Sequence, residues 1–350
     1  MAPISQRTAL VTGATGLLGR EITAAFRQSP GWTVKGTGHS RADGVDVLKL
    51  NLENEDVTEL NKILDETRYA LRHHKHCVDL DTNVTLVQPK CRPQVIVHSA
   101  AQRFPDKVDK DPDAARALNI AASQRLAQLA LERDALLIYI STDYVFSGTP
   151  GDAPYEADAE PKPTNLYGQT KLDGEIAVLD IAKKLGKVGS AVVLRVPVLY
   201  GHAETPAESA VNVLMDSVWK AQTEGTKIKM DHWAIRYPTN TEDVGRVCRD
   251  VAAKYLDADA ASDRKELPWI LQFSSEEKMT KYEICQLFGK IMGLDVAKID
   301  ANTQGNDSNA TVQRPYDCHL SNSALRKLGI DVSTSDFTDW WRRELRAFSQ

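Results

Sequence analysis

Ala9-Leu10-Val11-Thr12-Gly13-Ala14-Thr15-Gly16-Leu17-Leu18-Gly19 is the stretch whose reading decides the fold. A short apolar run enters a Gly-x-x-Gly-x-x-Gly turn, and an amphipathic segment leaves it. That order is strand, turn, helix. Glycines allow the tight turn and let backbone approach a pyrophosphate. The helix start then offers free N–H groups and partial positive charge to the phosphates. Gly13, Thr15, Gly16, Leu17, Leu18 and Gly19 are therefore the expected cradle of a dinucleotide.

Outward from this point the chain alternates strand-like and helix-like segments. Val-, Ile- and Leu-rich runs at 9–11, 33–36, 45–50, 95–98, 136–140 and 191–196 read as strands covered on both faces. Helical patterns fall between them, at 17–27, 56–68, 112–133 and 167–184. This alternation predicts an α/β fold, a doubly wound parallel sheet of Rossmann type with a smaller C-terminal α/β lobe. Residues 1–195 form the expected dinucleotide-binding domain. Residues 196–350 form the smaller substrate or partner lobe, interleaved with it, with helices at 208–223, 241–255, 281–292, 321–328 and 335–347. Residues 69–92 read as a loop insertion. Their His73, His74, His76 and Cys77 lack paired ligand spacing, so no metal site is expected.

Sites specific for NAD usually place a carboxylate at the end of the second strand, on the ribose hydroxyls. Here the sequence reads Gly38-His39-Ser40-Arg41, a hydroxyl and a guanidinium. Arg41 can pair with a 2′-phosphate in forked geometry, or remain a solvated loop arginine. The first reading favours NADP(H). Asn51 and Leu52 would flank the adenine, and Ser99, Ala100 and Ala101 would let backbone pass beside the cofactor. Pro197, just after the sixth strand, is expected beside the cofactor as well.

Tyr167-Gly168-Gln169-Thr170-Lys171 sets a tyrosine and a lysine four apart, on one helix face. The ammonium is expected to lower the tyrosine pKa by charge proximity and to hold the nicotinamide ribose. A tyrosine of this kind can protonate a carbonyl oxygen as hydride reaches the carbon. Thr142, ending the fifth strand, would orient that oxygen, with Ser141 as its substitute.

Composition limits the alternatives. The 350 residues are 42% hydrophobic and 26% charged, with a net charge of −5. A mildly acidic chain without a long basic run argues against nucleic acid or an anionic membrane as partner. No apolar run approaches the roughly 20 residues of a spanning helix, and Met1–Arg7 carries no leader-like h-region. Five scattered cysteines fit reduced thiols in the cytoplasm or nucleus.

Ile140-Ser141-Thr142-Asp143-Tyr144-Val145-Phe146-Ser147-Gly148 and Asn165–Glu175 resemble the dTDP-4-dehydrorhamnose reductase family of extended short-chain dehydrogenase/reductases. Within it the chain is similar to the regulatory β subunits of methionine adenosyltransferase. That likeness rests on Val11–Arg20, Leu194–Gly201, Glu208–Val211, Met230-Asp231-His232-Trp233, Arg236-Tyr237-Pro238-Thr239, Met279–Glu283 and Gln313-Arg314-Pro315. The resemblance implies NADP(H) as cofactor, with Thr142, Tyr167 and Lys171 at the catalytic positions. It also implies a partnership with the methionine adenosyltransferase catalytic subunit, which makes S-adenosylmethionine. The alternative is an active NADPH-dependent reductase of a nucleotide-linked 4-keto sugar, for which His232, Trp233, Arg236 and Arg314 would line the site mouth. Two departures stand out. The 69–92 insertion lies outside the usual pattern, and the sequence ends soon after Trp340-Trp341, where the regulatory subunits run on into a tail.

Overall fold

The computed structural model describes residues 6–66, 92–223, 227–258, 264–306 and 312–347. The insertion expected over 69–92, with its histidines and Cys77, lies outside the described residues up to residue 91. The chain begins with β1 (Arg7–Thr12), α1 (Leu17–Arg27), β2 (Trp32–Gly38), β3 (Val47–Lys49) and α2 (Thr58–Glu66). There follow β4 (Val95–His98), α3 (Pro105–Lys110) and α4 (Pro112–Arg116), which passes through a π turn (Ala117–Ala122) into α5 (Ser123–Glu132). β5 (Leu136–Thr142), α6 (Leu166–Lys184) and β6 (Ala191–Val196) complete the first half.

The second half contains β7 (Leu199–Tyr200), α7 (Leu214–Thr223), β8 (Ile228–Asp231), β9 (Thr239–Asn240) and α8 (Thr241–Leu256). After these come β10 (Ile270–Gln272), α9 (Lys281–Met292), β11 (Ile299–Asn302), α10 (Ser323–Lys327) and α11 (Phe337–Glu344).

The main sheet is parallel throughout, in the order β10-β6-β5-β4-β1-β2-β3. The chain runs outward from β1 to β3, then returns to place β4 on the other side of β1. Strand order reverses there, which opens a crevice at the carboxyl ends of β1 and β4. In β5 all seven residues, Leu-Leu-Ile-Tyr-Ile-Ser-Thr, are buried, as a strand covered on both faces requires. Ile22 and Phe26 of α1 pack with Val244, Val247 and Val251 of α8 over one face. Leu60 and Leu64 of α2, Leu126 and Leu131 of α5, and Val178 and Ile181 of α6 cover the other.

The sheet therefore draws on the second half of the chain, taking α8 as a cover and β10 as its edge strand. That seventh strand escapes the sequence pattern because Ile270-Leu271-Gln272 is only three residues long. Short parallel pairs, β11–β8 and β7–β9, build the remaining lobe. Its core packs Tyr200, Leu214, Val218 and Phe288 against Phe337, Trp340 and Trp341 of α11. α9 is closed by a capping box, Thr280 with Glu283, and ends at Gly293 in the left-handed region. No helix among the described residues is long and apolar enough to cross a membrane.

Trp341 is fully buried, edge-on to Trp340 and Phe288. Trp341→Ala should cost about 3 to 5 kcal/mol, the usual range for emptying an aromatic core position. Urea unfolding checks this; a loss under about 1 kcal/mol would mean that α11 is not what closes the lobe.

Candidate functional site

A cavity of about 500 Å³ opens at the carboxyl ends of the strands. Gly13, directly after β1, has φ +68°, and a Cβ there would lie 2.8 Å from the Ala100 nitrogen that follows β4. Only glycine fits both constraints. Gly16 is the N-cap of α1 and no side chain caps that helix, so its first N–H groups face the cavity with the positive end of the helix dipole. This cradle fits a dinucleotide phosphate. Gly13, Thr15, Gly16, Leu17, Leu18, Gly19, Ser40, Arg41, Asn51, Leu52, Ser99, Ala100, Ala101 and Pro197 all line the same cavity. Thr142, Tyr167 and Lys171 line it too.

Arg41 stands at the rim and is already engaged. Its guanidinium donates to Glu208 Oε1 at 2.8 Å, to Glu204 and to the Thr15 carbonyl at 2.7 Å. Arg20 joins the cluster, donating to Glu208 Oε2 at 2.6 Å. Burial would raise the Glu208 carboxyl, but hydrogen bonds from Arg20 and Arg41 bring it down to about 2. Arg41 is thus neither a free loop arginine nor an open phosphate receptor. A 2′-phosphate reaching it would compete with two carboxylates.

At the other end, Asn165 caps α6 by accepting from the Gly168 N–H at 2.9 Å, which sets Tyr167 in the first turn. Burial pushes the Tyr167 phenol above its ordinary value, with the neighbouring Thr142 hydroxyl acting in the opposite direction. The expected lowering by Lys171 is not what the structure shows. The Lys171 ammonium donates to the Tyr139 hydroxyl at 2.7 Å and lies 4.0 Å from the centre of that ring. Gly174 makes this possible, since a Cβ there would collide with the Tyr139 hydroxyl. At neutral pH the phenol is protonated, the form that can donate. The Thr142 hydroxyl donates to Asp143 Oδ1 at 2.9 Å, and burial lifts the Asp143 carboxyl to about 6 against the opposing Arg236 charge.

Of the four residues expected at the site mouth, Arg236 and Arg314 line the cavity; His232 and Trp233 are not among its lining. His232 bonds Thr280 Oγ1 at 2.8 Å and meets the Tyr282 ring at a tilt, 4.8 Å between centres. Trp233 packs on Tyr316. The cavity also recruits Arg103, Asp143 and Lys281, none assigned a role from sequence. Asp143 sits inside the Ser-Thr-Asp string and was within reach. Arg103 and Lys281 carry no pattern of their own. Among the described residues no cluster of three or more His, Cys, Asp or Glu could hold a metal.

Residues 7–349 match the RmlD substrate binding domain family. The methionine adenosyltransferase 2 subunit beta of Rattus norvegicus is 40% identical over 332 residues, covering 95% of this chain and 85% of that protein. Among solved structures, a dTDP-4-dehydrorhamnose reductase from Clostridium acetobutylicum superposes with a TM-score of 0.71 at 23% identity, covering 97% of this chain and 98% of that one. The dTDP-4-dehydrorhamnose reductase of Bacillus anthracis, solved in complex with NADP, gives 0.71 at 19% identity, covering 97% and 99%. At these identities the superpositions speak for the fold.

Burial brings the Lys171 ammonium down to about 7 from lysine's ordinary 10.5, with Glu175 opposing the drop. Between those values the unfolded chain holds a proton that the folded chain has released. Stability therefore rises with pH across about 7 to 10.5. Lys171→Met should melt higher than the parent near pH 7, and the gap should shrink as pH rises. Thermal melts of the cofactor-free protein at several pH values check this; a gap independent of pH would show that the lysine titrates normally.

Proposed function

The chain belongs to the RmlD substrate binding domain family and to the family of the methionine adenosyltransferase 2 β subunits, and from that membership we propose that it is an NADP(H)-binding regulatory subunit of methionine adenosyltransferase. It would bind the catalytic subunit and modulate S-adenosylmethionine synthesis in the cytoplasm. The observation that carries this reading is 40% identity sustained over 95% of the chain. A likeness of that length extends through both lobes, beyond the cofactor cradle.

In this reading the glycine turn and the α1 N-terminus hold the pyrophosphate, while Arg41 holds the 2′-phosphate. Asn51 and Leu52 flank the adenine. Lys171, beside Tyr139, holds the ribose near the nicotinamide. A second reading is favoured by one observation: Thr142, Tyr167 and Lys171 face a single cavity. That is the arrangement of a reductase for a nucleotide-linked 4-keto sugar. NADPH would supply the hydride. Tyr167 would hold the proton for the carbonyl oxygen, and Thr142 would orient that oxygen.

Size-exclusion chromatography with the methionine adenosyltransferase catalytic subunit of the same organism, with and without NADPH, separates the two. Co-elution with a changed rate of S-adenosylmethionine synthesis is the expected result. Clean separation with no kinetic effect would move the assignment to the reductase. Cofactor choice is tested separately. Arg41→Ala should weaken NADPH by roughly tenfold or more beyond its effect on NADH, the size of one or two charge-assisted hydrogen bonds. Equal weakening of both nucleotides in titration calorimetry would remove Arg41 from the 2′-phosphate.

A further inference from the structure

The later part of the chain gives the cavity three cationic side chains, Arg236, Arg314 and Lys281. They differ in what they already hold. Arg314 grips both oxygens of Asp106, at 3.0 Å each. Arg236 is 5% exposed. One of its terminal nitrogens, Nη1, donates to the carbonyls of Ile235 and Pro315 at 2.8 and 3.1 Å. The other, Nη2, is buried without a hydrogen-bond partner. Lys281, in the first turn of α9, makes no hydrogen bond or ion pair of its own among the described residues. A helix start is an unusual place for a half-buried lysine, because the helix dipole disfavours a cation there.

The nearby carboxylates do not explain these donors. Asp231 accepts from the amides of Trp233 and Ala234 at 2.9 and 3.1 Å. Asp106 is taken by Arg314, and Asp143 accepts from Thr142 at 2.9 Å. Arg236 and Lys281 thus line one cavity, each with uncommitted N–H donors, and in Arg236 the donor is buried, where lacking an acceptor is costly. Arg236 also lies over the Tyr144 ring, 5.9 Å from its centre, and Tyr144 meets Tyr167 edge-on at 5.9 Å. The Arg236 guanidinium therefore sits about one aromatic ring away from the proton-bearing phenol.

We propose that Arg236 and Lys281 form an oxyanion site, separate from the cofactor's phosphate cradle, for a small ligand that carries a phosphate or carboxylate group beside a carbonyl or hydroxyl. The oxyanion takes Nη2 of Arg236 and the Lys281 ammonium. The neighbouring oxygen is presented to Thr142 and Tyr167. The site stands whether the chain regulates a partner or reduces a carbonyl, since it is built from donors and not from an activity. In a regulatory subunit it would read a small anionic metabolite, and in a reductase it would orient the substrate.

The test uses the full chain saturated with NADPH, so that the glycine cradle is already filled. Inorganic phosphate and pyruvate are titrated separately by calorimetry, each against sodium chloride of equal ionic strength. Parent protein should bind at least one of them. Lys281→Met and Arg236→Gln should each weaken that binding roughly tenfold or more, the loss expected for one charge-assisted hydrogen bond. The probe that binds identifies the oxyanion as phosphate or carboxylate. Lys281 is only partly buried, so its variant keeps the test valid if Arg236→Gln fails to fold. Absence of binding by both probes, or undiminished binding in Lys281→Met, would overturn the proposal.

Discussion

The close approach of backbone at the ends of β1 and β4 is the constraint on which the rest of this structure depends. Gly13 and Ala100 pass each other where a side chain on residue 13 could not fit. The approach is locked by polar contacts. The Ser99 hydroxyl donates to the Thr12 carbonyl at 2.6 Å, and His98 Nδ1 meets the Thr12 hydroxyl at 2.6 Å. His98 Nε2 reaches Ser123 at 3.0 Å. Burial, aided by the Lys171 charge, holds this histidine down to about 3, so it stays neutral. From Ser123 the network continues through Asn119, which donates to Thr170 of α6 at 3.1 Å. The cofactor cradle and the Tyr167 helix are therefore joined by one buried hydrogen-bond chain, whose members gain from being satisfied together.

A second buried link fixes α6 from below. Arg195 of β6 and Glu175 of α6 face each other in bidentate geometry, at 3.0 and 2.8 Å, with both side chains almost wholly enclosed. Arg195 also donates to the Ala157 carbonyl and lies over the Phe146 ring. A pair this buried has little net effect on stability, because desolvation offsets the attraction. What it does define is where α6 sits on the sheet, and hence where Tyr167 stands at the cavity.

Most of this frame was legible in the residues. β4, β6, α1 and α9 lie where the apolar pattern puts them, because their local and tertiary preferences agree. The π turn was not legible: Ala-Leu-Asn-Ile-Ala-Ala reads as ordinary helix, and only its neighbours widen it to bring Asn119 between Gln102 and Thr170. The site divides in the same way. The glycine cradle is a local motif and could be read directly. The partner of Lys171 is Tyr139, 32 residues away on β5, and no spacing rule points to it. His232 and Arg236 are only four residues apart in the sequence, but the Asp231 turn over Trp233 and Ala234 sends them to different tasks.

The interleaving of the halves has a temporal side. The sheet is finished by β10 and its outer face is covered by α8, both from the later part of the chain. During synthesis the cradle must therefore wait, with the apolar flank of α1 exposed, until residues far downstream have emerged. Contacts so distant in sequence slow folding and leave sticky surface open in the meantime. A newly made chain of this kind would depend on shielding by chaperones, and early termination of translation would yield a species prone to aggregate.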